Sequence, residues 1–146
     1  MLEEHLAPLC ESNHHLRTPK VMPLRNCQHL HTPFDATLKS DVSDTALIQS
    51  LHPTPAVGGL PRDAALAWLD VHEPFDRGIY AAPVGWVDRK GADFAVAIRS
   101  AIVREETLAL YAGAGIVPGS KAEEEWAEIN QKMRSLLTIL TGDKSQ

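Results

Sequence analysis

A chain of 146 residues, 44% hydrophobic and 23% charged, is long enough for one domain with a moderate core. Its 19 acidic and 14 basic residues give a net charge of −5 with no basic run, which argues against nucleic-acid binding. Two cysteines, Cys10 and Cys27, are too few for a disulfide framework, and no apolar run approaches the roughly 20 residues of a membrane span. The opening MLEEHLAPLC carries acidic residues where a secretory signal needs basic ones, so a soluble cytoplasmic protein is the expectation.

Residues 2–9, LEEHLAPL, read as the tail of a helix stopped near Pro8, with no cap ahead of Leu2. Residues 11–19 are loop-like, and Val21 to Asn26 reads as a short strand that Pro23 confines to an edge. The run His29 to Leu38 alternates until Pro33 and is an edge strand or extended loop. Its His29-x-His31 pair lacks a third ligand at usable spacing and is read as two histidines on one strand face. Asp44 to Leu51 reads as a short helix capped by Ser43. The stretch 51–62, LHPTPAVGGLPR, is too dense in Pro and Gly for regular structure and specifies one loop shape. His52 at its start is either an acid, base or ligand-positioning group, or a ring that ties the loop to neighbouring backbone.

Pro61 at the first helical position begins a helix that Glu73-Pro74 ends. Three strand-like runs follow: Gly78 to Val87, Asp93 to Val103 and Thr107 to Tyr111. The turns between them, Asp88 to Gly91 and Arg104 to Glu106, predict an antiparallel meander. Arg99 falls mid-strand in an apolar sequence, where a buried charge needs a partner. Its fork suits a carboxylate, either a structural Asp or Glu or one on a ligand.

Tyr111 to Lys132, YAGAGIVPGSKAEEEWAEINQK, passes from a Gly-rich run through Pro118-Gly119 into a helix. Ser120 is the expected N-cap, with Glu123 completing a capping box. Trp126, Ile129, Met133, Leu136, Leu137 and Leu140 form an apolar stripe. Beside it, Glu125, Glu128 and Lys132 fall within roughly 60° of one another at helical spacing. This is either an ordinary surface pair with a neighbour, or a site for a divalent cation and an anion.

HLHTPFDATL, LHPTPAVGGLPR, EPFDRGIYAAPVGW, FAVAIRSAIV and YAGAGIVPGSKAEEEWAEINQK, in this order, resemble the C-terminal part of the chorismate-binding enzymes. These include isochorismate, salicylate, anthranilate and aminodeoxychorismate synthases; LHPTPAVGG is most similar to the isochorismate synthases. The resemblance spans about residues 2 to 140. It implies an α+β fold of layered antiparallel sheets with helices outside, incomplete at the N-terminus, with residues 1–146 the C-terminal part of a catalytic domain. It also implies Mg²⁺ as cofactor and chorismate and isochorismate as ligands; composition and the lack of a long apolar run speak for neither nucleic acid nor membrane as a partner. Glu128 matches a Mg²⁺ ligand and Glu125 an acidic residue near the metal. Tyr80 and Arg99 match groups that grip a substrate carboxylate, and Lys132 a lysine at the same end. Gly113 and Gly115 match a loop whose backbone approaches substrate, and His52 a histidine lining the pocket.

The family's chemistry is water attack at one ring carbon of chorismate with loss of hydroxyl from another. A lysine is the general base and a glutamate the general acid, while Mg²⁺ fixes the ring carboxylate. The resemblance puts that lysine, that glutamate and a second Mg²⁺ glutamate upstream of this stretch, so no catalytic acid or base is assigned within it. Glu3-Glu4-His5 lies just past the upstream metal motif, and Glu4 is read as part of a solvated helix face. The uncapped start fits a truncated product, a partial sequence or one half of a split protein paired with a separate N-terminal half. Alone, such a chain is expected to lack turnover and to be aggregation-prone. The alternatives are salicylate or anthranilate formation on the same scaffold, or a residual module that binds chorismate or Mg²⁺ without turnover.

Overall fold

The computed structural model describes residues 2–11, 15–16, 18–23 and 28–142, and the chain forms two compact units, Met1–His52 and Pro53–Gln146. Helices and antiparallel strands are mixed in both. No helix among the described residues is long and apolar enough to cross a membrane.

In the first unit, α1 (Leu2–Leu6) runs into a 3-10 turn, Ala7–Leu9, where Pro8 stands at a position that needs no donor. Glu3 and Glu4 are exposed, as a solvated helix face requires. Four short strands follow: β1 (His15–Leu16), β2 (Lys20–Pro23), β3 (Gln28–His31) and β4 (Phe34–Asp35). β1 pairs with β4 and β2 with β3, both antiparallel. The strand expected over Val21 to Asn26 starts one residue earlier, at Lys20, and is described as far as Pro23. Leu24 to Asn26, Cys27 and the side chain of His29 lie outside the described residues; His31 is exposed opposite Lys20. Helix α2 (Asp44–Leu51) is capped as expected, the Ser43 hydroxyl accepting from Ala46 N at 3.2 Å. It packs on α1, and the Ser50 hydroxyl donates to His5 O at 2.8 Å. Leu6 and Cys10 are the buried apolar residues here.

The second unit departs from the expected irregular loop at its start. Within the Pro/Gly stretch, Pro55–Gly58 forms a single helical turn, α3. Thr54 enters it extended, Pro55 supplies a preset φ, and Gly59 leaves it at φ +80°. A side chain at Gly59 would press on Ala65 Cβ at 2.7 Å. Helix α4 (Arg62–His72) follows, with Pro61 as N-cap and Glu73 as C-cap. Ala65, Leu66 and Leu69 form its covered side, while Trp68 and Val71 face solvent.

The expected meander is two separate hairpins. β5 (Pro83–Val87) pairs with β6 (Ala92–Val96), and β7 (Arg99–Arg104) pairs with β8 (Thr107–Ala112). The run Asp93 to Val103 breaks at Ala97-Ile98, where Ala97 N returns to Ala82 O and Ile98 N turns onto Val96 O. Gly78 to Ala82, expected as strand, is turn. The Asp88–Gly91 turn forms as expected, the Asp88 carboxylate accepting from Lys90 N and Gly91 N at 2.7 and 3.0 Å. Gly85 is required: a Cβ there would collide with Asp93 O across the ladder.

Helix α5 (Ala122–Thr141) packs on β8 and ends at Gly142 in the left-handed region. Ser120 does not cap it. The Ser120 hydroxyl accepts from Val117 N at 3.1 Å and its own N–H donates to Val117 O, closing a turn with Gly119 at φ +96°. Lys121 becomes the N-cap with no side-chain capping bond, its Nζ donating instead to Glu124 Oε1 at 2.7 Å, so the capping box with Glu123 does not form. Glu123, Glu124 and Glu125 in the first turn still oppose the positive end of the helix dipole. The apolar stripe is covered only at Ile129, Met133 and Leu136; Trp126 is 64% exposed.

Candidate functional site

The C-terminal end of β8 and the loop after it gather most of the sequence-predicted residues. Gly113 is the hub. Lys132, nearly three turns into α5, donates from Nζ to Gly113 O at 2.7 Å. The same ammonium lies 2.5 Å from Glu128 Oε1. The Lys132 side chain is 21% exposed and that of Glu128 is 53% exposed. This is therefore more than an i,i+4 surface pair: a half-buried ammonium is tied to loop backbone, and its carboxylate partner reaches solvent. Glu125 lies one turn earlier on the covered side of the helix.

From the opposite direction comes Tyr80, held in a turn ahead of β5. Its hydroxyl occupies the space above Gly113, and a Cβ built there would collide with it. Its ring stacks on Tyr111 with centroids 5.6 Å apart, and Phe75 completes the cluster at 6.4 Å from Tyr80. Burial pushes the Tyr80 phenol above its ordinary value, and the nearby Arg77 charge pulls the other way. The next residue, Ala81, is buried and sits at φ +62°, held by its N–H donating to Ala97 O at 3.0 Å. A non-glycine residue in that region is strained, and here the strain adjoins a site residue.

Arg99 differs from expectation. It is the first residue of β7 and is exposed, so it needs no structural counter-ion, and no ion pair holds it among the described residues. The register places it opposite Ala112, one residue before Gly113. A guanidinium at the edge of the site is thereby left available for an anion. Gly115 is exposed two residues beyond the hub. His52 is the half-buried C-cap of α2 and belongs to the first unit.

Two residues escaped the sequence reading. Arg77 forks onto Glu73 with Nε and Nη2 at 2.6 Å, donates from Nη1 to Val57 O at 2.7 Å, and lies 5.7 Å from the Tyr80 ring centroid. Glu73 and Arg77 at i,i+4 were a readable signal, but across a Pro74 that ends the helix. Ser100, facing Tyr111 in the ladder, keeps a buried hydroxyl with no hydrogen-bond partner. Nothing in its strand pattern distinguishes it from a packing residue.

An ammonium, a phenol and an exposed guanidinium around a glycine loop suit a small organic acid, with carboxylates beside them for a hard cation. The chain is also similar to known proteins. The chain is 40% identical over 127 residues to isochorismate synthase MenF of Bacillus subtilis, covering 86% of this chain and 27% of that protein. It is 44% identical over 124 residues to the salicylate biosynthesis isochorismate synthase of Pseudomonas aeruginosa, covering 84% of this chain and 26% of the relative. The solved structure of MenF, the menaquinone-specific isochorismate synthase of Escherichia coli, superimposes with a TM-score of 0.86 at 38% identity. That match takes in 95% of this chain and 32% of the other. The chain thus spans about a quarter to a third of the length of these relatives, and its mixed α and antiparallel β fold is theirs over that span. With residues 1–141 also matching the family described as chorismate binding enzyme, the chain belongs to the chorismate-binding enzymes.

Proposed function

We propose that this chain supplies the carboxylate-gripping and Mg²⁺-binding side of an isochorismate synthase. The observation that carries the reading is the convergence of Tyr80, Lys132 and Glu128 on Gly113, with exposed Arg99 one ladder position away. In this reading Arg99 and the Tyr80 hydroxyl hold a carboxylate of chorismate, and the backbone of the Gly113–Gly115 loop lies along the ring. Lys132 keeps that loop in place through Gly113 O and adds positive charge at the same end.

The donor set fits Mg²⁺. That ion is commonly held through one or two protein carboxylates with water completing its shell. Glu128 presents a solvent-reaching carboxylate and Glu125 a second on the same helix. When bound, the ion would neutralise a substrate carboxylate. No group of three or more His, Cys, Asp or Glu side chains is gathered for a metal among the described residues; in this reading further ligands come from the remainder of the fold. The general base and acid belong there too, whether that remainder is on the same polypeptide or a separate N-terminal half.

The test is a chimera in which this chain replaces the segment it matches in the Bacillus subtilis synthase. Given chorismate and Mg²⁺, it should form isochorismate by chromatography. Salicylate or anthranilate as product would favour another ring chemistry on the same scaffold. A folded chimera that binds chorismate without product would favour a residual binding module.

A further inference from the structure

We infer that Arg77 is a positioning residue for the site: it locks the Tyr80 hydroxyl over Gly113 and ties it to the α3 turn. The inference rests on the reading of Tyr80 as a carboxylate-gripping group, but the geometry beneath it is independent. Arg77 makes three bonds that only a planar fork makes at once. Nε and Nη2 hold the two oxygens of Glu73, both at 2.6 Å, and Nη1 holds Val57 O at 2.7 Å. Glu73 is the C-cap of α4 and Val57 lies in α3, so one side chain joins two elements. With its orientation fixed, the guanidinium lies beside the Tyr80 ring, 5.7 Å from the centroid. Tyr111 stacks on that ring at 22° and Phe75 leans on it. Tyr80 N also donates to Arg77 O at 2.8 Å, which closes the turn between them. The ring is thereby held by Arg77, Tyr111 and Phe75, and its hydroxyl is held over Gly113, where the loop carries no side chain.

Arg77 forms none of the contacts around Gly113 itself; its action is through Tyr80. Lysine at 77 keeps the charge and most of the stem but cannot make the fork and the Val57 bond together. The test therefore uses Arg77→Lys, with two readouts. In the chain itself, carrying Tyr111→Phe so that Tyr80 is the single tyrosine, the phenol is titrated by tyrosinate absorbance. Loss of the fork should let the ring move toward solvent and bring its titration down toward the ordinary tyrosine value; an unchanged titration in the folded variant overturns the inference.

In the chimera, Arg77→Lys should raise KM for chorismate roughly 10-fold, with a smaller change in kcat. In a Tyr80→Phe background the same substitution should change KM little. An equal penalty with and without the Tyr80 hydroxyl would show a merely structural role and overturn the inference. If Tyr80→Phe leaves KM unchanged, the reading of Tyr80 as a substrate group fails, and the titration still decides whether Arg77 positions it. Glu73→Gln, which keeps Arg77 and weakens its anchor, should move both readouts in the same direction and serves if Arg77→Lys does not fold.

Discussion

Purified alone and given chorismate and Mg²⁺, the chain is expected to release no isochorismate, while the chimera does. The reason lies in what the site residues are already doing. The reaction needs a base for water and an acid for the departing hydroxyl, each worth about 10²- to 10⁴-fold. Lys132, the one lysine at the site, donates to Gly113 O and pairs with Glu128, so it is a loop anchor rather than a free base. In the proposed function the site therefore has a grip, and its lysine is not free to act as the base. Its walls are also open. Two-stranded ribbons are marginal alone and leave strand edges unpaired. On β5–β6, Val84, Trp86, Val87 and Phe94 are all exposed, and Trp126 projects from α5. Fully burying an exposed side chain of this kind is worth about 1.5–3 kcal/mol, and these, roughly half exposed, would gain about half of that each when covered. Chromatographic assay of the isolated chain checks this directly, and turnover at more than a trace would contradict it.

Gly113→Ala should separate packing from binding. Its Cβ would collide with the Tyr80 hydroxyl, and the ring is wedged between Tyr111, Phe75 and Arg77. Overpacking of this kind costs about 1–3 kcal/mol, enough for a measurable fall in melting temperature. Displacing the hydroxyl would also remove its proposed hydrogen bond to the substrate carboxylate; a bond to a charged group is worth about 1.5–3 kcal/mol, or roughly a 10- to 150-fold rise in KM in the chimera. Adding Tyr80→Phe removes the colliding oxygen, while the remaining approach to the ring carbon, 3.6 Å, is ordinary contact. The double variant should therefore regain stability and not affinity. Full stability in Gly113→Ala, or recovery of affinity in the double variant, would contradict the assigned geometry.

Elements specified by local chemistry were legible from sequence. Ser43 caps α2 because Ser-Asp ahead of an apolar run leaves little alternative, and Asp88 closes its turn through its own side chain. Ser120 misled because two roles compete for one hydroxyl, and the Val117–Ser120 turn took it. The break at Ala97-Ile98 was hidden because alternation continues through it, and only pairing back to Ala81 and Ala82 reveals it. Arg99 looked buried from its apolar neighbours, yet that break puts it at a strand start, in solvent. Of the site, the helix pair Glu128 and Lys132 followed from spacing. The joining of Tyr80 to Gly113 did not, since the 32 residues between them, with two hairpins, must fold before they meet. Arg77 was missed because its partners lie on both sides of Pro74 and back in the α3 turn.

The central assignment is most directly tested by calorimetric titration of chorismate into the chimera with and without Mg²⁺, before and after Glu128→Gln and Arg99→Met. Mg²⁺ should tighten binding in the parent, Glu128→Gln should abolish that tightening, and Arg99→Met should weaken binding under both conditions. Mg²⁺ tightening that survives Glu128→Gln, together with unchanged affinity in Arg99→Met, would contradict the account.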